Sequence, residues 1–255
     1  MRVVSSSSKQ RDVGEVRQCR EPAGFVRQGA ALVDWSRWFV TDEDDVGESF
    51  EHGEMIRLLL SSLDVLGRER AWHDRLWASD QFFAWRPEHP LVRVSPDVYV
   101  LDDPPPPPRP ASWQTWLPGH RPPTLAIEIV SDDWTKDYRE APQKYWQLGC
   151  PELVIFDPSA VLHPGDSRER VPLQVYRRDA DGAYVRVQCS DAAVFCEGIQ
   201  AFLVPRHVDD VVRLRIASDA AGLDVVPSLA EAREHVEQRV RELERRLAQL
   251  ASDER

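Results

Sequence analysis

The sequence has few cysteines, no long apolar run and a deficit of basic charge, and each of these features excludes a class of protein. Its 255 residues include only four cysteines, scattered at Cys19, Cys150, Cys189 and Cys196, with no CxxC pair and no histidine at zinc-ligand spacing. This distribution argues against a disulfide framework or a structural zinc, and it favours a reducing compartment. We therefore expect a cytoplasmic protein.

No apolar stretch approaches the roughly 20 residues that span a bilayer. Residues 1–20 also lack the apolar core and the small-residue cleavage site of a signal peptide. Hydrophobic residues make up 42% of the chain and charged residues 29%, which is ordinary for a soluble globular protein. These features predict no membrane association.

The chain is acidic, with a net charge of -11. Proteins that hold DNA mainly through its phosphates carry basic patches, because neutralising the phosphates releases counterions. The charge therefore argues against a nucleic-acid coat. It remains compatible with action on DNA through a metal and a local basic strip.

The hydrophobic pattern divides the chain into four segments. Residues 1–44 are polar and offer little apolar surface to bury, so we expect this segment to be poorly ordered. Residues 45–206 alternate helix and strand patterns and form the predicted globular domain. Residues 207–227 are expected to be a linker, and residues 228–255 an appended helix.

Within the domain, the pattern predicts a mixed α/β fold. Apolar residues recur at helical spacing over residues 48–68, and a second helix is predicted over residues 141–148, where Pro142 fits the first turn. A proline-rich loop runs to about Pro123. The predicted strands are, in order, 72–77, 81–85, 92–94, 97–101, 124–131, 152–156, 173–177 and 184–188.

The C-terminal segment carries a short heptad pattern. Its apolar residues fall mainly at alternating spacings of four and three, and they are Leu229, Val236, Val240, Leu243, Leu247 and Leu250. The pattern predicts a helix that pairs with a second copy or with a partner helix over residues 228–252. A solitary helix docked on the domain is the alternative, because about three heptads is the lower limit for a coiled-coil assignment.

Glu128 is the one charged residue in the apolar run of residues 124–130. Alternate residues of a strand point to opposite faces, and both faces are apolar here apart from Glu128, which is typical of a central strand covered on both sides. A buried carboxylate usually binds a cation, shares a proton or pairs with a base. A structural pair with a nearby Arg or Lys is the alternative to a functional role.

A second acid, Asp97, follows Pro96 and opens the apolar strand pattern at residues 98–101. Taken alone, such an aspartate is often a turn residue. The order of the elements, however, allows neighbouring strands to bring Asp97 and Glu128 to one point. Two carboxylates with a backbone carbonyl, that of Ile129, suit Mg²⁺ or Mn²⁺, which would keep several waters.

Several motifs follow one another in order along the domain. They are Pro96-Asp97, Ile127-Glu128-Ile129-Val130-Ser131, Asp137, Lys144-Tyr145 with Gly149, and Glu152-Leu153-Val154-Ile155-Phe156-Asp157-Pro158. Together they resemble the Uma2 family, restriction-endonuclease-like proteins of the PD-(D/E)xK nuclease superfamily. Trp113, Trp116 and His52 also match in position. The resemblance covers about residues 45–205.

The resemblance implies an α/β, restriction-endonuclease-like core of a helix, a mixed central β-sheet and a following helix, to which this chain adds a C-terminal heptad-type helix. It implies that Asp97 and Glu128 are catalytic metal ligands. The implied activity is that of a Mg²⁺-dependent endonuclease that hydrolyses DNA phosphodiester bonds. A lysine normally assists by stabilising charge or orienting water.

The lysine is where this sequence departs from the family. The usual superfamily position is Val130, and the Uma2 position is Ala141, four residues before Tyr145. Lys136 and Lys144 are the available substitutes. A helix would point Lys144 about 100° away from Tyr145, whereas Lys136 lies in the predicted turn after the preceding strand, so Lys136 is favoured.

Two further residues have two interpretations each, and a third has one. His52 could lean into the site from the first helix, although a helical histidine is more often a surface or capping residue. Asp137 could orient a lysine or cap a helix, and Tyr145 is interpreted as a packing residue. Because position 141 is an alanine and not a lysine, a second function is also compatible with the sequence. The protein could be a catalytically weak or inactive nuclease-like module that binds or assembles through its C-terminal helix.

Overall fold

The computed structural model describes residues 17–18, 49–131, 134–164, 169–208 and 211–253. Of the N-terminal segment that was predicted to be poorly ordered, it describes only a two-residue strand. The rest of that prediction lies outside the described residues.

The described residues form thirteen strands and five helices. In chain order, the strands are β1 (Arg17–Gln18), β2 (Arg75–Ala78), β3 (Phe82–Ala84), β4 (Arg93–Val94), β5 (Val98–Asp102), β6 (Ser112–Gln114), β7 (Leu125–Ile129), β8 (Glu152–Phe156), β9 (Leu173–Arg178), β10 (Tyr184–Ser190), β11 (Val194–Cys196), β12 (Ala201–Val208) and β13 (Val211–Ala217). The helices are α1 (Phe50–Glu69), α2 (Trp134–Arg139), α3 (Ala141–Leu148), α4 (Pro158–Leu162) and α5 (Leu229–Asp253).

A seven-stranded mixed sheet lies at the centre, in the order β1-β10-β9-β8-β7-β5-β2. Its one parallel pair in the described residues is β7 with β8, and the other neighbours are antiparallel. Parallel strands need a crossover connection, which α2 and α3 supply here. Two three-stranded sheets, β11-β12-β13 and β4-β3-β6, accompany the central sheet. The predicted mixed α/β architecture is therefore confirmed.

The two faces of β7 contribute to two separate hydrophobic clusters. Leu125 and Ile127 belong to the cluster that includes α1 and the β11-β12-β13 sheet. Ala126 and Val130 belong to the cluster that includes α3 and the β4-β3-β6 sheet. The strand is thus covered on both faces, and strand alternation puts Glu128 on the α3 face.

Local signals fix the ends of the two helices that flank the central sheet. Ser49 caps α1, since its side chain accepts a 3.2 Å hydrogen bond from the backbone N–H of His52. Pro142 occupies the first turn of α3, and Gly149 ends that helix in the left-handed conformation, with φ of 94°. The residues at the start of α1 and along α3 are thereby held against the sheet.

Residues 207–227, which were predicted to be a linker, contain the strand β13. Val212, Leu214 and Ile216 of this strand are buried in the core, while Arg213 and Arg215 alternate with them. The alternation is that of a half-buried strand. The linker prediction is wrong over this strand, because its charged residues face outward from a sheet and do not mark an exposed connection.

The segment after β7 is also more ordered than the predicted polar turn. Trp134–Arg139 forms α2, a helix in which no residue is buried. Without an apolar stripe the sequence gives no periodic signal for a helix. Tyr138 ties α2 to the end of β8, because its hydroxyl donates a 2.8 Å hydrogen bond to Oδ2 of Asp157.

The C-terminal helix is confirmed as a helix over Leu229–Asp253. Within the described residues, no helix is both long and apolar enough to cross a membrane.

Candidate metal centre

A cavity of about 230 Å³ opens where β5 begins and β7 ends. Every residue that the sequence analysis proposed for the site lines this cavity. The full lining consists of His52, Arg93, Val94, Ser95, Asp97, Glu128, Ile129, Ser131, Lys136, Asp137, Ala141, Lys144 and Tyr145. Residues from α1, α2, α3 and three strand ends thus converge on one point.

The register of the central sheet brings the two acids together. β5 and β7 are antiparallel neighbours, with Val98 opposite Ile127. Asp97 directly precedes β5 and therefore lies near the end of β7 that carries Glu128, and both acids line the cavity. The order of the elements in the sequence predicted this convergence.

Two groups from different elements hold Asp97. Its Oδ2 accepts a 2.6 Å hydrogen bond from the backbone N–H of Ile129. Its Oδ1 lies 3.0 Å from Nε2 of His52. His52 therefore contacts the site directly, and the interpretation of this residue as a surface histidine is wrong.

Glu128 receives a hydrogen bond from a neutral donor. The hydroxyl of Tyr145 donates to Oε1 of Glu128 over 2.6 Å. Burial, followed by the negative charge of Asp97, raises the pKa of Glu128 well above its usual range. The pKa of Tyr145 is also raised, by burial and by the charge of Glu128, so the phenol keeps its proton and remains a donor.

Two other acids near the core show what a structural carboxylate looks like in this protein. Glu152 in β8 accepts hydrogen bonds from Nε of Arg177 at 2.8 Å and from the backbone N–H of Gly198 at 2.7 Å. Asp157 is bound by two guanidinium nitrogens of Arg170, each at 2.7 Å. The largest charge effect on the pKa of Glu128, in contrast, comes from another carboxylate, that of Asp97. A structural ion pair therefore describes Glu152 and Asp157 better than it describes Glu128.

Three basic side chains line the cavity around these acids. Lys144 is buried, and its Nζ lies 3.0 Å from Oε2 of Glu140, one turn earlier in the chain. Lys136 on α2 is exposed. Arg93 in β4 stacks on the ring of Phe82, with its guanidinium carbon 3.6 Å from the ring centroid. The residues that line this cavity are thus less acidic, taken together, than the chain as a whole.

In the structure, Lys144 is as well placed as Lys136 to act in the cavity. Ala141, Lys144 and Tyr145 fall at positions i, i+3 and i+4 of α3 and line the same cavity, which is the spacing of one helix face. The angle between Lys144 and Tyr145 therefore does not remove Lys144 from the site. The reason for favouring Lys136 over Lys144 no longer holds.

Two residues of the site were not predicted from the sequence. Tyr145 was interpreted as a packing residue, yet it binds Glu128 directly. Arg93 was not proposed, and its only sequence signal is its position four residues before Asp97. Asp137, the remaining accessory candidate, lies in α2 and adds to the negative charge that raises the pKa of Glu128.

The donor set fits a hard divalent cation. Among the described residues, no group of three or more His, Cys, Asp or Glu side chains is positioned to hold a metal ion. Asp97, Glu128 and Ile129 line the cavity, so two carboxylates and one backbone carbonyl are the protein oxygens that could hold the ion. Mg²⁺ is commonly bound by one or two carboxylates, with waters and substrate phosphates completing its shell. A cation here would also relieve the repulsion that raises the pKa of Glu128.

A mixed sheet whose neighbouring strands direct two carboxylates into a cavity, flanked by helices, is consistent with the restriction-endonuclease-like class. The model of the Uma2 family, described as "Putative restriction endonuclease", matches residues 45–203. The chain belongs to this family, as its motifs predicted. A search of curated proteins found no match.

Proposed function

We propose that this protein is a metal-dependent endonuclease that hydrolyses phosphodiester bonds of DNA. The observation that carries the proposal is that Asp97 and Glu128 line one cavity, where the charge of Asp97 raises the pKa of Glu128. Carboxylates whose ionisation is perturbed by a neighbouring carboxylate in a cavity are typical of functional sites. Membership of the Uma2 family gives the reaction class.

In this proposal, Asp97 and Glu128 bind Mg²⁺, or Mn²⁺ in its place, together with the carbonyl of Ile129. When bound there, the ion would supply Lewis acidity toward the phosphate and would lower the pKa of water. The backbone N–H of Ile129 and the imidazole of His52 hold the Asp97 carboxylate in one orientation. The phenol of Tyr145 does the same for Glu128. Such outer contacts orient ligands and tune their affinity.

Lys144 is our candidate for the assisting lysine. It lies one turn after Ala141 on the cavity face of α3, so its ammonium group can serve the region that a lysine at position 141 would serve. Its stem is buried, and the ion pair with Glu140 limits its motion. The role of Lys144 would be to stabilise negative charge that develops on the phosphate. Lys136 is exposed and is the second candidate.

The basic groups at the cavity support a phosphate-bearing substrate. Arg93, Lys136 and Lys144 line it although the chain as a whole carries a net charge of -11. A local basic cluster of this kind attracts phosphate to the cavity, while the rest of the acidic surface repels nucleic acid. We therefore expect weak, salt-sensitive DNA binding that depends on these few residues.

Cleavage of supercoiled plasmid tests the proposed activity. Wild-type protein with Mg²⁺ or Mn²⁺ should nick or linearise the plasmid, and Glu128→Ala should not. Asp191→Ala, which removes an exposed acid in the turn between β10 and β11, outside the cavity lining, is the matched control and should cut like wild type. Equal cleavage by wild type and Glu128→Ala would show that the nuclease activity comes from elsewhere.

A metal titration tests the site independently of cleavage. Calorimetry with Mn²⁺ should give binding to the wild-type protein and an affinity at least about tenfold lower for Asp97→Asn. Circular dichroism of both proteins should be the same, because the asparagine can still accept the hydrogen bond from the Ile129 N–H. Equal Mn²⁺ affinity in the two proteins would remove Asp97 from the proposed ligand set.

A second function is favoured by one observation, the alanine at position 141, where the family pattern carries a lysine. It is a nuclease-like module that binds DNA or assembles without cutting. Fluorescence anisotropy with labelled duplex DNA separates the two functions. Metal-dependent binding without any cleavage, at protein concentrations that saturate the DNA, would favour the module.

A further inference from the structure

The C-terminal helix α5 leaves the domain after its first turn. Leu229 and Ala232 pack against the core, whereas nearly all residues from 233 to 252 are exposed. The exposed part carries large apolar side chains, of which Leu247 is 66% exposed. An apolar stripe of this kind on a projecting helix marks an interaction surface.

The stripe has the spacing of a coiled-coil seam. With Leu243 assigned to a d position, the d positions of the exposed part are Val236, Leu243 and Leu250, whereas Leu229 holds the d position of the first turn, which packs on the domain. The a positions are then Arg233, Val240 and Leu247. A strict a/d stripe is narrower than the apolar face of a helix that docks on a globular domain, so a second helix is the natural occupant.

The charges that flank the seam identify that second helix and its direction. The g positions hold Arg239 and Arg246, and the e positions hold Glu237 and Glu244. In a parallel pair, each g residue faces the e residue five positions further along the other helix, so Arg239 meets Glu244 of the second copy, and symmetry repeats the contact. In an antiparallel pair, g faces g and e faces e, which opposes like charges.

We propose that α5 forms a parallel, two-stranded coiled coil with a second copy of this chain. Val240 at a with Leu243 and Leu250 at d follows the combination that favours dimers, whereas Leu247 at a and Val236 at d do not follow it. Arg233 at an a position adds a polar group that limits the register and the number of strands. A parallel pair places both domains at the same end of the coiled coil. The proposal concerns assembly and does not depend on nuclease activity.

Charge exchange in the full-length protein tests the proposed pairing. By sedimentation equilibrium, the wild-type protein should be a dimer, and Arg239→Glu and Glu244→Arg should each dissociate about tenfold more readily, because two attractive contacts become repulsive. An equimolar mixture of the two variants should regain wild-type affinity as a heterodimer. Arg245→Glu is the matched control, because it makes the same charge change at an f position on the opposite side of the helix.

A monomeric wild-type protein, or a trimer or larger assembly, would overturn the proposal. The same conclusion would follow if Arg239→Glu and Glu244→Arg behaved like Arg245→Glu, or if mixing the two variants restored nothing.

Disulfide trapping tests the direction of the helices. In a parallel pair the two copies of residue 250 face each other, so Leu250→Cys should form a covalent dimer with itself on mild oxidation, above the level of wild type. Val236→Cys should also link to itself. Failure of Leu250→Cys to link to itself would overturn the parallel arrangement, and so would linkage found only in a mixture of Val236→Cys with Leu250→Cys. The exposure of both positions on α5 keeps the domain undisturbed by either change.

Discussion

The hydroxyl of Tyr145 donates a 2.6 Å hydrogen bond to Oε1 of Glu128, across the interface between α3 and the central sheet. The contact joins α3 to β7, the strand that carries Glu128, and it fixes the orientation of this carboxylate. It also opposes the rise in the pKa of Glu128 that burial and Asp97 produce. Tyr145 therefore adjusts the charge of the candidate metal centre from outside its ligand set.

Replacing Tyr145 by phenylalanine should weaken metal binding in a pH-dependent way. Loss of the hydrogen bond raises the pKa of Glu128 further, so more of the carboxyl is protonated at neutral pH. We expect Mn²⁺ affinity at pH 7 to fall about tenfold, with partial recovery at higher pH. Calorimetry at several pH values measures both. Tyr176→Phe, which removes a buried hydroxyl bonded to Gln174, is the control. Identical affinities for Tyr145→Phe and wild type at every pH would exclude this role.

Replacing Glu128 by glutamine should stabilise the protein when metal is absent. The folded state holds the Glu128 proton to a higher pH than the unfolded chain, where the pKa is about 4.3. Wild-type stability contributed by this group is therefore present at low pH and is lost as pH rises from the unfolded pKa through the raised folded pKa. Glutamine does not titrate, so Glu128→Gln should gain on the order of 1 kcal/mol at pH 7 and little at pH 4.

Thermal unfolding with a chelator at both pH values measures that difference. Added Mn²⁺ should reverse the order, because it stabilises only the protein that binds it. A variant less stable than wild type at pH 7 in the chelator would contradict the repulsion between Asp97 and Glu128.

Substitutions at positions 136, 141 and 144 should show whether Lys144 or Lys136 assists the reaction. Lys144→Ala should lower the rate of plasmid cleavage by about 10²-fold, and Lys136→Ala by much less. The double variant Ala141→Lys with Lys144→Ala should regain activity, because positions 141 and 144 line the same cavity from one helix face. Single-turnover cleavage rates give the comparison. A large loss in Lys136→Ala together with full activity in Lys144→Ala would assign the role to Lys136 instead.

Replacing Gly149 by alanine should destabilise the protein through the end of α3. Gly149 has a φ of 94°, and an added Cβ would lie 3.2 Å from Cγ of Pro122. We expect a loss of about 1–2 kcal/mol in the free energy of unfolding, measured with urea. Gly182→Ala shares the positive φ but meets no atom within 4 Å, so its loss should be smaller. Equal losses would show that the contact with Pro122 adds nothing.

Much of the fold followed from the sequence where a segment has one strong pattern. The strand Glu152–Phe156 and the helix Ala141–Leu148 have the predicted boundaries, because a continuous apolar run and a proline with a terminal glycine mark them clearly. The helix α2 was missed because it buries no side chain and so has no periodic signal. The strand β13 was missed because its alternating arginines resemble an exposed linker.

The sequence alone determined that Glu128 is a lone charge in a covered strand, that the chain has the Uma2 motifs, and that α5 has an a/d stripe. These are properties of short segments or of spacing. Only the tertiary structure decided which groups touch. Tyr145 is hydrogen-bonded to Glu128, which lies 17 residues earlier in the sequence. The Ile129 N–H is hydrogen-bonded to Asp97, which lies 32 residues earlier. Such contacts depend on strand register and on the angle at which α3 packs, and both are set by the whole core.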